Sequence, residues 1–345
     1  MGDMSETSGF IIEFGVLKKY KGSEENLVVP EEVEVVGEEA FKDCGFIKTV
    51  KLPDSLRAIE RRAFSGCTSL ESTEIPAGVK AIGPRAFEDC SSLKGFIRIP
   101  DGVDWIREGT FCGCSSIEGV SLPDGVKTIG GVAFRSCKSL KRADIPDSVD
   151  FIGDGAFYGC ENLGSFRMPK SLRSVGSFLG GCSLIKNVFI PAGVKKVDGG
   201  AFRWCEGLES ISVDPENERY YASGNCVISR ADNSVVAGCN TSVIPKDEGI
   251  RKIENNAFRG CTGIRELTVP EGVLLIGAAA FYGCKKLETL TLPGTFYSFN
   301  CCNPYPERIF GEDRMKPITV RAKFWSYAAG YAVTYRDDFK YEEIK

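Results

Sequence analysis

The chain has 345 residues, 43% hydrophobic and 26% charged, a balance that excludes a disordered chain, and no apolar run approaches the ~18 residues that a spanning helix needs. Its 43 basic and 47 acidic residues leave a net charge of −4, which gives no electrostatic footprint for nucleic acid or an anionic membrane surface. Histidine is absent, so Ser-His-Asp and Cys-His nucleophile systems, histidine zinc sites and histidine acid–base catalysis are excluded together.

The first 29 residues contain FIIEFGVLKKYKGSEENLVV, which reads as two strands joined by a turn. From residue 30 a fixed period takes over. Ten of the 15 cysteines (Cys44, Cys67, Cys90, Cys114, Cys137, Cys160, Cys182, Cys205, Cys261 and Cys284) are spaced by 23, 23, 24, 23, 23, 22 and 23 residues, then 56, then 23. A period of this size marks a solenoid, in which each turn of chain buries its apolar side only against its neighbours. The shared frame is LxxIxLPxxVxxIGxxAFxGCxx, as in 120–142, VSLPDGVKTIGGVAFRSCKSLKR. The LxxIxL segment alternates like a half-buried strand and proline ends it, because proline cannot donate to a ladder. One strand per turn implies parallel pairing at roughly 4.8 Å spacing and a sheet along one face. VxxI supplies a second short extended stretch. AFxGC then reads as a short helical or 3₁₀ turn on the opposite face, with its Phe and Cys directed inward.

This frame, recurring over residues 30 to about 300, resembles the BspA-like, or Treponema-type, leucine-rich repeat family. The resemblance implies a right-handed leucine-rich solenoid without catalysis in the repeat. It further implies display on a bacterial or protist surface, with adhesion to host or matrix proteins as the expected role.

Two repeats depart from the period: 91–113 has one extra residue near Gly95 and Phe96, and 171–182 lacks one, so a local bulge is expected in each. Residues 214–249 break the frame altogether. Their turn-rich runs bracket two apolar strands, CVIS and SVVAG, which suggests a hairpin-like degenerate repeat. The frame resumes over 250–310. In 311–345, Ile318 to Val320 fits a last strand and Ala322 to Val333 an amphipathic capping helix with Phe324, Trp325, Ala328 and Ala329 inward. The expected organisation is one continuous solenoid domain, with 1–29 as the N-terminal cap, repeats over 30–213 and 250–310, and 311–345 as the C-terminal cap. Its closing charged segment has no terminator, which leaves open a continuation beyond Lys345.

The lattice thiols point in parallel into the core, whereas a disulfide needs Cβ vectors that face each other, so a buried, reduced ladder is expected. Neither Cys112 with Cys114 nor the vicinal Cys301 and Cys302 has the paired CxxC spacing of a zinc site, although the vicinal pair sits in the broken stretch SFNCCNPYPE, where exposure is expected. The glycines of GxxAFxGC are not followed by the Lys-Ser/Thr of a phosphate loop. No catalytic residue, cofactor or metal site is expected.

Variable positions carry what remains. One outward column of the sheet reads Lys51, Glu74, Arg98, Ser121, Asp144, Arg167, Phe189, Ser212, Thr268 and Thr291, and a second, Lys48, Glu71, Lys94, Glu118 and Lys141, alternates in sign. Oppositely charged cross-strand neighbours stabilise a sheet by ~0.2–1 kcal/mol each and keep its exposed face soluble. The residue before the Ile of VxxI is Trp105 or Phe151 in two of the repeats, and Trp204 replaces the Gly of FxGC. Large exposed aromatics are enriched at interface hot spots. The candidate partner-binding residues are therefore Arg98, Asp144, Arg167 and Phe189 on the sheet, with Trp105 and Phe151 beside it. The expected function is a non-catalytic protein-binding scaffold for a protein ligand, with no nucleic acid and no membrane insertion. The alternative is the recognition module of a longer protein whose catalytic or anchoring part lies elsewhere. No basic segment followed by an apolar one opens the chain, which points to the cytoplasm if Met1 or Met4 is the native start; trimming of a signal peptide would restore the surface placement.

Overall fold

Each repeat is cornered by its proline. The carbonyls of Pro30, Pro53, Pro76, Pro100, Pro123 and Pro146 accept the backbone N–H three residues on, at 3.0–3.2 Å, so the strand stops and the chain folds straight into VxxI. A computed structural model describes residues 4–7, 9–300, 309–310 and 317–344, in which these corners recur turn after turn along a parallel β-solenoid. The chain divides into two compact units, 1–174 and 175–345. No described helix is long and apolar enough to cross a membrane.

In the first unit two parallel sheets run along the stack. The LxxIxL sheet comprises Asn26–Val28, Thr49–Lys51 and Ser72–Thr73, followed by Gly95–Arg98, Ile117–Ser121 and Arg142–Asp144. Its register advances by one repeat per strand, as in Asn26 to Thr49 to Ser72. The VxxI sheet adds two residues per turn, among them Trp105–Ile106, Thr128–Ile129 and Phe151–Ile152. At its start Met4–Thr7, Phe10–Glu13 and Val16–Tyr20 form an antiparallel meander whose last strand pairs in parallel with Val35–Val36. Residues 1–29 thus hold four strands where the sequence suggests two, the fourth being Asn26–Val28 of the LxxIxL sheet.

The AFxGC face is held by a third ladder. The N–H groups of Ala63, Ser65 and Cys67 close i→i−3 turns, while those of Arg62, Phe64 and Gly66 donate to the carbonyls of Pro84, Ala86 and Glu88 in the next turn. This alternation requires every fourth residue to take a left-handed backbone, with φ of 53° at Arg62 and 77° at Gly66. It also prevents the segment from winding on into a helix. A 3₁₀ helix occurs among the described residues only at Ser177–Leu179. That is where the short repeat was expected to bulge. The missing residue is taken up by tightening the turn, with Phe178, Leu179 and Cys182 kept in the core. The long repeat does bulge, with the register shifting between Gly95 and Phe96, and Gly95 takes φ 82° to absorb the extra residue.

Inside, Phe41, Phe64, Phe87, Phe111, Phe134 and Phe157 stack as one column, with ring centroids 4.9–5.5 Å apart and planes within 12°. Beside it run the lattice thiols, all unoxidised and buried. Five of them donate to a phenylalanine carbonyl of the preceding turn: Cys67 Sγ to Phe41 O at 3.1 Å, Cys90 to Phe64, Cys114 to Phe87, Cys137 to Phe111 and Cys160 to Phe134 at 3.0–3.2 Å. The thiol therefore fills space and satisfies a buried carbonyl together.

In the second unit the Phe258–Phe281–Phe310 stack and the Cys284 bond to Phe258 O repeat this core. The degenerate repeat is a three-stranded antiparallel meander, Tyr220–Ser223, Cys226–Ser229 and Ser234–Ala237, whose last strand pairs in parallel with Lys252–Ile253 and restarts the solenoid. Buried Asn217 holds its entry: Nδ2 donates to Pro191 O and Val194 O, and Oδ1 accepts from the N–H groups of Arg219 and Tyr220. Trp204 packs over Gly260 and Gly283, where a Cβ would lie 2.9 and 2.3 Å from its ring, so this half-buried ring serves packing.

The C-terminal cap differs from expectation. Strand Ile318–Ala322 consumes Ala322, and helix α1 spans only Tyr327–Thr334, started by Ser326, whose Oγ accepts from Ala329 N. Ala328 and Ala329 are buried as expected, but Phe324 and Trp325 lie outside the helix and are 55% and 90% exposed. The serine cap fixes the helix start after them. Phe339–Glu343 then adds a parallel edge strand to Ile318–Ala322.

Candidate partner-binding groove

On the LxxIxL sheet of the first unit, alternate residues of each strand face outward in rows. One row runs Arg98, Ser121, Asp144 in register; a second, two residues earlier, runs Phe96, Gly119, Arg142. Over them lies an open groove made of two depressions of about 550 and 440 Å³ that share Arg142 and Asp144. Phe96 and Arg98 line one end and Ser165 and Arg167 the other. The tips of the Pro-Asp turns, Asp101 and Asp124, form a wall.

The charges in the groove are unequally satisfied. Arg142 Nε donates to Asp144 Oδ1 at 2.6 Å, and Arg167 donates to Asp147 Oδ1 at 2.5 Å and to Ile145 O at 3.2 Å. The Arg167 guanidinium, with the Lys170 N–H, holds the Asp147 carboxyl below its usual range. Arg98 has no ion pair or side-chain hydrogen bond among the described residues. The charge ladder expected along Lys51, Glu74 and Arg98 does not form there: no ion pair joins them, and Asp144 pairs along its own strand. The alternating column at the other edge does form, as Lys48–Glu25, Lys94–Glu71 and Lys141–Glu118 at 2.6–2.9 Å, and in the second unit as Lys186–Glu209 and Arg265–Glu288.

A family model described as "BspA type Leucine rich repeat region (6 copies)" matches residues 19–138, 95–209 and 229–311. The chain belongs to the BspA-type leucine-rich repeat family. Among solved structures it is similar to a leucine rich cell surface protein of Faecalibacterium prausnitzii, at 21% identity and TM-score 0.57, covering 91% of this chain and 99% of that one. It is equally similar to a leucine-rich repeat protein of Bacteroides ovatus, at 21% identity and TM-score 0.55, covering 100% and 98%. No curated protein matches the chain.

In this BspA-type chain the sequence-derived candidates separate into three groups. Arg98, Asp144 and Arg167 come together in the groove. Trp105 and Phe151 lie on the other sheet, in one row with Thr128 between them, 42% and 49% exposed, and Arg107 covers Trp105 with its guanidinium carbon 3.8 Å from the ring centroid. Phe189 is exposed on the second unit, opposite Ser212. Sequence reading missed Phe96 and Arg142 because the row Phe96, Gly119, Arg142 belongs to neither of the two columns followed through the charged repeats. The 24-residue step in the cysteine lattice is the signal that marks Phe96.

Among the described residues no three His, Cys, Asp or Glu side chains are grouped to hold a metal ion. Cys301 and Cys302 lie outside the described residues. Burial raises the Cys112 thiol above its usual range, which disfavours the nucleophilic thiolate.

Proposed function

We propose that the chain is a non-catalytic scaffold that binds another protein through the exposed LxxIxL sheet of its first unit. The observation that carries this reading is the groove, where exposed Phe96, three arginines and a wall of aspartates interrupt an otherwise regular, ion-paired sheet. The rigidity of the ladders beneath supports it, since a preorganised surface loses little freedom on binding. The histidine-free composition supports a role without catalysis. The likeness to a bacterial cell surface protein supports display outside the cell, with adhesion to host or matrix proteins as the finer form of the proposal. The test is photo-crosslinking from a benzoylphenylalanine placed at Ser121 on the groove floor, at Thr128 on the aromatic row, or at Arg135 on the turn face, with matrix proteins as bait. Crosslinks from position 121 support the reading. Crosslinks confined to 135 overturn it.

A further inference from the structure

Three departures from the repeat coincide at one end of the groove. The extra residue of the long repeat sits at Gly95, whose left-handed φ of 82° lets the following strand shift its register. That shift sets Phe96 opposite Gly119, and the edge of the ring occupies the space this glycine vacates: a Cβ there would be 2.3 Å from Phe96 Cδ2 and 2.5 Å from Cε2. Bulges of this kind re-aim side chains next to working surfaces. Two residues on, on the same face of the strand, stands Arg98. It is the groove arginine without an ion-pair partner among the described residues, since Glu74, the preceding member of its column, makes no ion pair with it. Asp101 and Asp124 on the adjoining wall are exposed and likewise make no ion pair.

Resting on the reading above, we infer that Phe96 and Arg98 are the anchor of the groove and take an extended peptide segment of a defined charge order: a carboxylate side chain against Arg98, an apolar side chain against Phe96, and a basic side chain toward Asp101 and Asp124. Charge complementarity selects this occupant. Arg142 and Arg167 are already neutralised by Asp144 and Asp147, so the free positive charge is at Arg98 and the free negative charge is on the turn wall. Arginine matches a carboxylate with two parallel N–H donors, and an exposed phenylalanine supplies the apolar contact that a rim charge alone does not. A polyanion is opposed by the aspartate wall, and a purely basic segment by Arg98.

The test uses a phage-displayed library of linear 12-residue peptides panned on the full chain, with synthetic copies of the enriched peptides measured against Arg98→Glu, Phe96→Ala and parent. Arg98 and Phe96 are exposed, and variants whose melting matches the parent are compared. The expected result is peptides that carry an acid and bind Arg98→Glu at least tenfold more weakly, regaining affinity when that acid is replaced by lysine. Phe96→Ala weakens them by a similar factor. Peptides that crosslink to position 121 yet bind both variants like the parent overturn the charge order while leaving the groove as the binding site. Failure of any peptide to enrich above a plate without protein overturns the peptide occupant.

Discussion

The thiol at each lattice position is chosen by two demands at once. It must fit between stacked turns, and in the regular repeats it donates a hydrogen bond to a phenylalanine carbonyl that also accepts from the cysteine N–H of its own turn. Burial pushes the Cys160 and Cys205 thiols up to about 12, so these groups stay protonated and inert at neutral pH. Native protein exposed to a thiol-alkylating reagent is expected to label few of the ten lattice cysteines, and denatured protein nearly all. Rapid native labelling of eight or more would contradict the buried ladder. Phe134 lies between Phe111 and Phe157 in the aromatic column, fully buried. Replacing it by Ala is expected to cost ~3–5 kcal/mol in denaturant unfolding, because the rings above and below cannot close the cavity. A loss below ~1 kcal/mol on that scale would place the ring outside the core. Both columns were legible in the sequence, since spacing alone puts Phe and Cys in register. The thiol-to-carbonyl bond was not, because it joins residues 26 positions apart whose geometry no pattern encodes.

At the scale of elements, strands and prolines announced themselves through alternation and period, and so did the hairpin Cys226–Ser229 and Ser234–Ala237 of the degenerate repeat, though not the third strand, Tyr220–Ser223, that extends it. What stayed hidden was set by single polar contacts. Asn217 sits in a run read only as turn-rich, yet it is buried and its amide makes four hydrogen bonds to backbone. Asn217→Ala is expected to destabilise the second unit by at least ~2 kcal/mol, since buried carbonyls and N–H groups lose their partners. Thermal unfolding followed by circular dichroism checks this, and an unchanged transition would mean that water replaces the side chain. The capping helix was read five residues early for a similar reason. Apolar periodicity pulled Phe324 and Trp325 inward, whereas the Ser326 cap starts the helix after them. The groove was half visible. Arg98, Asp144 and Arg167 follow from their column, but Phe96 depends on the bulge that carries it into the row beside them.

For the whole molecule, stability is the sum of nearly identical interfaces between turns, so small effects repeated along the stack become large. Alkaline pH exposes this. Buried Cys44 is raised to about 11, Cys160 and Cys205 to about 12, and Tyr20 and Tyr221 to about 12, each mainly by desolvation. In the unfolded chain these groups ionise at ~8.5 for Cys and ~10 for Tyr. Below ~8.5 both states hold the thiol protons; above it the unfolded state releases them first, so native stability is lost progressively as pH rises toward the folded values. The melting temperature is expected to hold steady from pH 6 to 8 and to fall steeply from 9 to 11. The Cys160→Ala, Cys205→Ala double variant should show a shallower fall, and an identical slope would contradict the thiol origin. The functional claim concerns which face of this stack works. Once a partner has been captured by crosslinking from position 121, its equilibrium affinity for folded variants on three faces decides it. Arg98→Ala with Arg167→Ala probes the groove, Trp105→Ala with Phe151→Ala the aromatic row, and Arg135→Ala the turn face. Groove binding predicts a loss of about 30-fold or more for the first pair, equivalent to the ~2 kcal/mol of a hot spot, and little change for Arg135→Ala. Parent-like affinity in the groove variants with binding abolished by Arg135→Ala would contradict it and move the working surface to the opposite side of the turns.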